Sequence, residues 1–163
     1  MIVADTSVLV AFSGIRRLDV IRALFEQALV PKAVCRELVD EGIGWVEAKD
    51  IQAAIAEALW TTTVEVRLNV QVERVKSRLG AGELEVISLA GDRALLAAID
   101  DLDARKVAAQ IGVGIIGSLG ILGRTKRVGL IDEIRPLVSG MQKNGIRLGQ
   151  SRVEKFLREH GET

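Results

Sequence analysis

Short apolar runs alternate with amphipathic segments along the first half of the chain. Ile2–Ala4 and Ala28–Val30 are continuous apolar runs, and segments with helical spacing follow them at Leu18–Gln27 and Lys32–Asp40. Continuous apolar runs of this length are typical of strands buried on both faces, and their alternation with helices is typical of βα units. The pattern therefore predicts an α/β fold with a mostly parallel central sheet.

The alternation continues beyond these units. Three further strands are predicted at Val64–Val66, Leu95–Ile99 and Val113–Ile116, and helices near Val46–Leu59, Val70–Leu79, Glu83–Ala90 and Asp103–Ile111. From about Ser118 the pattern predicts three helices, with breaks at Gly129 and at Gly145 to Gly149. With 163 residues and no repeat or low-complexity tract, the chain is predicted to form one domain over residues 1–163, with a helical C-terminal portion.

The charge and composition of the chain limit which classes of partner it is expected to bind. The chain has 22 Lys and Arg against 22 Asp and Glu, so no overall field draws it to a nucleic acid or a membrane. A polyanion would have to be held by local basic residues or by a bound metal. The opening residues lack a basic leader and no apolar run is long enough to span a bilayer, which predicts a cytoplasmic protein without a membrane partner.

The single cysteine, Cys35, is predicted to be a small buried side chain, and the single histidine, His160, a solvated tail residue.

Acidic residues follow two of the predicted strands. Asp5 comes directly after the first apolar run, and Asp100 and Asp101 follow Leu95–Ile99. Ligands of open parallel sheets bind outside the carboxyl ends of the strands, so we expect these acids to emerge at one edge. An alternative is that each of these Asp side chains only caps the helix that follows it. Capping is favoured for Asp101 or Asp103 taken singly and for Thr6 and Ser7, but it does not explain why all of them converge.

Two glutamates lie on apolar helix faces. A helix beginning at Glu83 places apolar residues at i+3, i+4 and i+7 on the same face, where an acid is costly unless something pairs with it. Glu37 also shares its face with apolar residues, with the equally weighted alternative that it is half-exposed and paired with a Lys or Arg. Glu85 lies off the Glu83 stripe and is predicted to be solvated.

Together these acids suggest a metal site. Carboxylates at close range cannot all stay ionised without a cation, and hard oxygen donors suit Mg²⁺ or Mn²⁺. The lack of usable His and Cys argues against zinc. Without a histidine near the acids, general-base work would fall to a metal-bound water, which fits phosphoryl chemistry.

Four segments carry a resemblance to a known family. The segments "MIVADTSVLV", "PKAVCREL", "LGAGELEVISLA" and "AIDDLDARKVAAQIGVGIIGSLGIL" resemble, in order and approximate spacing, the acidic motifs of PIN-domain nucleases, most closely the VapC-like prokaryotic proteins. The closing "PLVSGMQKNGIRLGQSRVEKFLREHG" is similar to the tail of one such subgroup. The resemblance implies a three-layer, Rossmann-like α/β/α sandwich and a Mg²⁺- or Mn²⁺-dependent endoribonuclease. It also implies a homodimer and, for a toxin, an antitoxin protein encoded beside it.

The resemblance also implies roles for individual residues. The catalytic acids it implies are Asp5, Glu37, Glu83, Asp100 and Asp101, all but Glu37 as metal ligands. Its supporting residues are Ser7, Asp103 and Ser118. PIN domains often have a Thr-x-Asp-x-Asp arrangement at the fourth strand, whereas here Ala98 and Ile99 precede the Asp pair, so the choice between Asp100 and Asp101 stays open. Candidate RNA phosphate contacts are the basic residues that follow the first and last acids, namely Arg16, Arg17, Arg105 and Lys106.

Two other interpretations of the sequence predict a different function. Gly112 to Gly117 matches a dinucleotide-binding fingerprint, but that fingerprint needs a strand before its first glycine and the preceding segment has helical spacing. A second alternative is a non-catalytic α/β metal-binding or phospho-acceptor module for protein interaction. It leaves Glu83 unexplained and predicts stoichiometric labelling by acetyl phosphate.

Overall fold

The computed structural model of the chain describes residues 1–40, 49, 51–53, 55, 60–75 and 78–162. The helix predicted near Val46–Leu59 falls largely outside these residues. The five strands are β1 (Ile2–Ala4), β2 (Ala28–Pro31), β3 (Thr61–Val64), β4 (Ala97–Ala98) and β5 (Ile115–Ile116). The helices, numbered within the described residues, are α1 (Thr6–Gly14), α2 (Leu18–Phe25), α3 (Lys32–Asp40), α4 (Val70–Val75), α5 (Ala81–Arg93), α6 (Leu102–Gln110), α7 (Ser118–Arg127), α8 (Arg135–Lys143) and α9 (Gln150–Glu159).

The strands form one sheet in the order β3-β2-β1-β4-β5, and every pair is parallel. The central strand β1 pairs with β2 through Ile2 and Ala28, and with β4 through Val3 and Ala97. Helices flank the sheet and a continuous set of buried aliphatic side chains joins the layers. The predicted α/β sandwich with a parallel sheet is therefore confirmed.

Some boundaries differ from the predicted ones for physical reasons. The third strand lies at Thr61–Val64 and not at Val64–Val66, because this edge strand is half-exposed and is built from threonines that an apolar pattern does not detect. The strands β4 and β5 are shorter than predicted. The helix α1 follows β1 directly, and its residues are apolar nearly all round because it is buried, so periodicity did not separate it from the strand.

The C-terminal portion forms the three helices predicted, α7, α8 and α9. The prediction that His160 is solvated is wrong, since its ring stacks on Phe156 with centroids 4.1 Å apart. A Cβ at Gly123 would lie 2.6 Å from the His160 Nε2, so this ring packs α9 closely against α7.

The prediction for Cys35 also needs correction, because its side chain is only half-buried, with its Sγ 3.5 Å from the Thr63 Oγ1. In the described part of the chain, no helix has the length and apolarity to cross a bilayer.

Glu162 ties the end of the chain to α7 and α8. Its carboxylate accepts hydrogen bonds from the backbone N–H groups of Ile134 and Arg135, at 2.6 and 2.8 Å, and from the Lys126 ammonium at 2.7 Å. Burial alone raises the pKa of Glu162, but these bonds outweigh it and hold the pKa below its ordinary value. The negative charge of Glu162 therefore stabilises the folded state.

We expect Glu162→Gln to lower the free energy of unfolding by about 1 kcal/mol at neutral pH, because charge-assisted hydrogen bonds are lost. A lowered pKa gives stability that is complete above the ordinary Glu pKa and lost as the pH falls through the lowered value. The difference between Glu162→Gln and wild type, measured by urea unfolding, should accordingly shrink in acid. The control is Glu159→Gln, whose exposed carboxylate forms only a 3.9 Å pair with Lys155 and should change little. An equal loss in both variants would contradict this role for Glu162.

Candidate active site

Asp5 lies at the carboxyl end of the central strand and is 4% exposed. Its backbone N–H donates to the Ala98 carbonyl at 3.1 Å, which links the end of β1 to β4. Its side chain is the N-cap of α1, where the Ser7 N–H and the Ser7 Oγ donate to Oδ2 at 3.4 and 2.7 Å. Burial raises the pKa of Asp5, the bonds from Ser7 oppose this, and the nearby Glu37 carboxylate raises the pKa further. Asp5 is thus both a helix cap and a buried acid, and the two interpretations are compatible.

Glu37 connects α3 to two other helices. The Thr6 Oγ1 donates to its Oε2 at 2.6 Å, and the Gly82 N–H at the start of α5 donates to its Oε1 at 2.8 Å. Glu37 is half-buried, in line with one part of the alternative, but among the described residues it forms no ion pair, so pairing with Lys or Arg is not supported. A Cβ at Gly82 would lie 2.5 Å from the Glu37 Oε1, so glycine at position 82 is what allows this approach.

Glu83 lies in the first turn of α5, half-buried above fully buried Val86 and Ile87 on its own face. Its Oε2 accepts a hydrogen bond from the Gly80 N–H at 2.9 Å. Burial raises the pKa of Glu83; the Gly80 bond lowers it, and the carboxylates of Asp5, Asp101 and Glu37 raise it again by repulsion. Glu83 is therefore electrostatically coupled to acids at the end of β1, on α3 and in the β4–α6 loop.

The prediction that Glu85 is solvated is wrong. Its side chain is 14% exposed, and its Oε2 accepts a hydrogen bond from the Ala33 N–H at 2.9 Å. Ala33 is in the first turn of α3, where backbone N–H groups have no partner within the helix. Glu85 thus caps α3 from the neighbouring helix α5, which a single-helix pattern cannot reveal.

Asp100 follows β4 and is held by the next strand–helix junction. The Ser118 N–H and the Ser118 Oγ donate to its two carboxylate oxygens, at 2.8 and 2.5 Å. The Arg105 guanidinium donates a hydrogen bond, at 3.0 Å, to the carbonyl of Ile99, the residue before Asp100. A Cβ at Gly117 would lie 2.7 Å from the Asp100 Oδ1 and 2.6 Å from the Arg105 Nη1, so this corner is closely packed.

The two neighbouring aspartates, Asp101 and Asp103, bind groups within the first turns of α6. Asp101 is the N-cap of α6 and accepts from the Asp103 and Ala104 N–H groups at 2.9 and 2.8 Å. Asp103 is exposed and pairs with Lys106 at 2.8 Å. The capping alternative therefore applies to Asp101, which still contributes to the raised pKa of Glu83.

Two adjoining clefts collect most of these side chains. The first, about 460 Å³, is lined by Asp5, Thr6, Ser7, Val10, Glu37, Gly80, Glu83 and Ile146. The second, about 590 Å³, is lined by Ser7, Asp100, Asp101, Leu102, Asp103, Lys106, Gly145, Ile146 and Arg147. Ser7 and Ile146 line both clefts and mark their boundary. Arg16 and Arg17 line neither cleft, and Arg17 pairs with Asp19 at 3.0 Å.

The donor chemistry fits a hard divalent cation. Three carboxylates, from Asp5, Glu37 and Glu83, line the first cleft, and none of its lining residues is basic. Their oxygens are the donors that Mg²⁺ and Mn²⁺ prefer. Within the described part of the chain, no three His, Cys, Asp or Glu side chains form a ready metal-holding group, so cation binding would have to draw the carboxylates closer together.

Several residues of these clefts have no signal in the sequence pattern. The sequence predicts only a capping role for Thr6, yet its hydroxyl donates a hydrogen bond to Glu37. Ile146 belongs to a loop about 140 positions from Asp5 and gives no motif. The two glycines flanking Ala81 are the one usable hint, since a glycine before a helix acid indicates close backbone approach. The segment Gly112 to Gly117 enters β5 from the helix α6, so the dinucleotide fingerprint lacks its leading strand.

The fold and the acids at the carboxyl edge of the sheet define an α/β protein with a carboxylate-lined site at its strand ends. A family model described as a PIN domain matches residues 1–162, and the chain belongs to the PIN-domain family. PIN domains are generally nucleases and typically use divalent metals, which makes nucleic acid the general class of substrate. No curated protein matches the chain.

Proposed function

We propose that this protein is a Mg²⁺- or Mn²⁺-dependent endoribonuclease of the VapC-like kind, which hydrolyses RNA phosphodiester bonds. The observation that carries the proposal is the first cleft, which carboxylates from the end of β1, from α3 and from α5 line without a basic residue. Buried acids that repel one another raise the free energy of the folded protein, and a bound cation is the usual compensation.

The proposed metal ligands are Asp5, Glu83 and one of Asp100 and Asp101, with Glu37 as a further acid. A divalent cation bound there would polarise the scissile phosphate, acidify the attacking water and offset charge on the leaving oxygen. The remaining contacts orient the acids. Ser7 fixes the rotamer of Asp5 and Ser118 that of Asp100, each through a hydroxyl and a backbone N–H.

Glu37 is oriented in a different way, by Thr6 and the Gly82 N–H. Each of its two oxygens already accepts one hydrogen bond, but a carboxylate oxygen has a second lone pair. Glu37 therefore keeps capacity to accept a proton or a water hydrogen while its position is fixed. This makes it the candidate acid for positioning the attacking water.

The toxin role, the antitoxin partner, the homodimer and the cytoplasmic location are proposed on the resemblance to VapC-like proteins. A single domain over residues 1–163 is proposed from the length of the chain, and RNA contacts at Arg16, Arg17, Arg105 and Lys106 from their places after the first and last acids. Arg105, Lys106 and Arg17 already have partners in the Ile99 carbonyl, Asp103 and Asp19, so Arg16 is the most available of the four to phosphate.

The first test is the melting temperature of chelator-treated protein, titrated with Mn²⁺ and with Mg²⁺. We expect stabilisation of the wild type that Asp5→Asn and Glu83→Gln lose, because binding to the folded state alone raises stability. Glu133→Gln, at an exposed position outside both clefts, is the control and should respond like wild type. Cleavage of a labelled RNA oligonucleotide in Mn²⁺ then tests the activity. Stoichiometric labelling by acetyl phosphate without cleavage would instead favour the phospho-acceptor module.

A further inference from the structure

The loop that joins α8 to α9 lies beside both clefts. Ile146 lines both, and Arg147 lines the second. Asn144, at the start of this loop, donates its side-chain N–H to the Gly14 carbonyl at the end of α1, at 2.7 Å. The Ile146 N–H donates to the Met141 carbonyl at 3.0 Å. The loop is thus attached to the C-terminal end of α1, the helix that Asp5 caps at its other end.

Arg147 differs from the other basic residues near the acids. Lys106 lines the same cleft but pairs with Asp103, and the Arg105 guanidinium donates to a backbone carbonyl. Arg147 is exposed and forms no hydrogen bond or ion pair with any other described residue, although three aspartates line its cleft. In the part of the chain that the structure describes, it is the lining residue of these clefts whose positive charge has no partner.

We propose that Arg147 is a substrate-positioning residue that binds a phosphate of single-stranded RNA lying along the second cleft, with the scissile phosphate in the first. The inference rests on the proposed function and adds a contact to it. A neutral protein needs local cations to hold a polyanion, and arginine matches phosphate with two parallel hydrogen bonds. Arg147 reaches this cleft from the α8–α9 loop, whereas Asp101 and Lys106 reach it from the start and the first turns of α6.

The apolar residues of the second cleft favour a single strand. Leu102 is 61% exposed at the start of α6, and Ile146 is half-buried in the loop, so both offer apolar surface to the cleft. Bases in a duplex stack on one another and present only their edges, whereas unpaired bases can pack their faces on protein side chains. A single strand can therefore place a phosphate at Arg147 and a base against Leu102 or Ile146.

The experiment compares Arg147→Ala, Arg147→Lys and Arg22→Ala. Arg22 is exposed on α2, lines neither cleft and forms no ion pair with the described residues, so its removal changes the net charge equally. Cleavage kinetics are measured in each variant with a single-stranded RNA oligonucleotide in Mn²⁺. Affinity for the same fluorescent oligonucleotide, and for its duplex, is measured by anisotropy in the Asp5→Asn background, at several salt concentrations.

We expect Arg147→Ala to raise KM and weaken single-strand binding on the order of tenfold. The slope of log affinity against log salt should fall by about 0.7, as for one lost phosphate contact on a single strand. Arg147→Lys should recover part of the affinity, since it keeps the charge and loses the two-pronged geometry. Arg22→Ala and the duplex should show neither effect.

The outcomes separate this inference from the proposed function. If wild type cleaves RNA but Arg147→Ala matches Arg22→Ala in KM, affinity and salt slope, Arg147 does not contact substrate and the inference alone is overturned. Equal weakening of single-strand and duplex binding would overturn the assigned substrate class. If wild type neither cleaves nor binds the oligonucleotide, the proposed function fails and this inference fails with it.

Discussion

Asp5→Asn is expected to reduce Mn²⁺-stimulated RNA cleavage on the order of 10²- to 10³-fold, the loss typical when one electrostatic element of a site is removed. The same substitution is expected to raise the melting temperature of the chelator-treated protein. Asparagine keeps an oxygen that can accept the Ser7 bonds, so the α1 cap survives while a buried charge disappears. Lower activity together with higher apo stability is a combination that a purely structural residue does not produce.

The pH dependence of stability gives an independent check on Asp5. Its pKa is raised in the folded protein, chiefly by burial, so the folded state binds this proton more tightly than the unfolded state. Stability from that proton is complete below the unfolded pKa and is lost as the pH rises through the raised value. Asp5→Asn should remove this loss, and unfolding in urea at a series of pH values measures it.

Asp5→Ala serves as the comparison because it removes both the charge and the cap. It should be less stable than Asp5→Asn, by roughly 1 kcal/mol for a lost N-cap. If Asp5→Asn and Asp5→Ala were equally destabilised and activity were unchanged, Asp5 would be a helix cap without a catalytic role.

Gly82→Ala is expected to reduce cleavage roughly tenfold to a hundredfold with little change in stability. A methyl group at position 82 would lie 2.5 and 2.6 Å from the two Glu37 carboxylate oxygens, so the carboxylate must move. The end of a flexible side chain can move cheaply, and alanine favours a helix more than glycine does, by about 0.5–1 kcal/mol. A displacement on the order of 1 Å at a catalytic acid is nevertheless costly to activity.

Gly80→Ala is the matched control for this substitution. A Cβ at Gly80 would lie 3.9 Å from the nearest Glu37 oxygen and 3.8 Å from the Glu83 Oε2, which are ordinary contacts. We therefore expect a much smaller loss of activity from Gly80→Ala, measured as initial cleavage rates at saturating Mn²⁺. Equal losses in the two variants would mean that crowding of Glu37 is not the cause.

Agreement between pattern and structure is closest where the signal is local. The apolar runs of β1 and β2 and the helical spacing of α3, α5 and α6 predicted the α/β alternation, because a buried strand and a one-sided helix each leave their period in the sequence. Asp5 and Asp100 could be placed at one edge because parallel strands end together. The prediction for β3 was displaced, since the half-exposed threonines of an edge strand leave a weak apolar signal.

Glu83 and Glu85 show where local reasoning stops. Both are in α5, and their helix positions predicted that Glu83 meets the core and Glu85 meets water. The structure agrees for Glu83, but Glu85 is covered by α3 and caps it. The apolar spacing of a helix shows which of its faces packs on the sheet and which faces away. It does not show whether a neighbouring helix covers the residues between those two faces.

The sequence by itself determined the α/β alternation, the acids that end the strands and the absence of histidine among them, because these depend on residue type and short-range order. The tertiary structure alone decided that Thr6 and Gly82 hold Glu37, that Glu85 is a cap, and that Arg147 of the α8–α9 loop lines the same cleft as Asp100 and Asp101. The hydrogen bonds among these contacts join positions 31 to 52 residues apart. They follow from how the packed layers close on one another, and no local period in the chain encodes that closure.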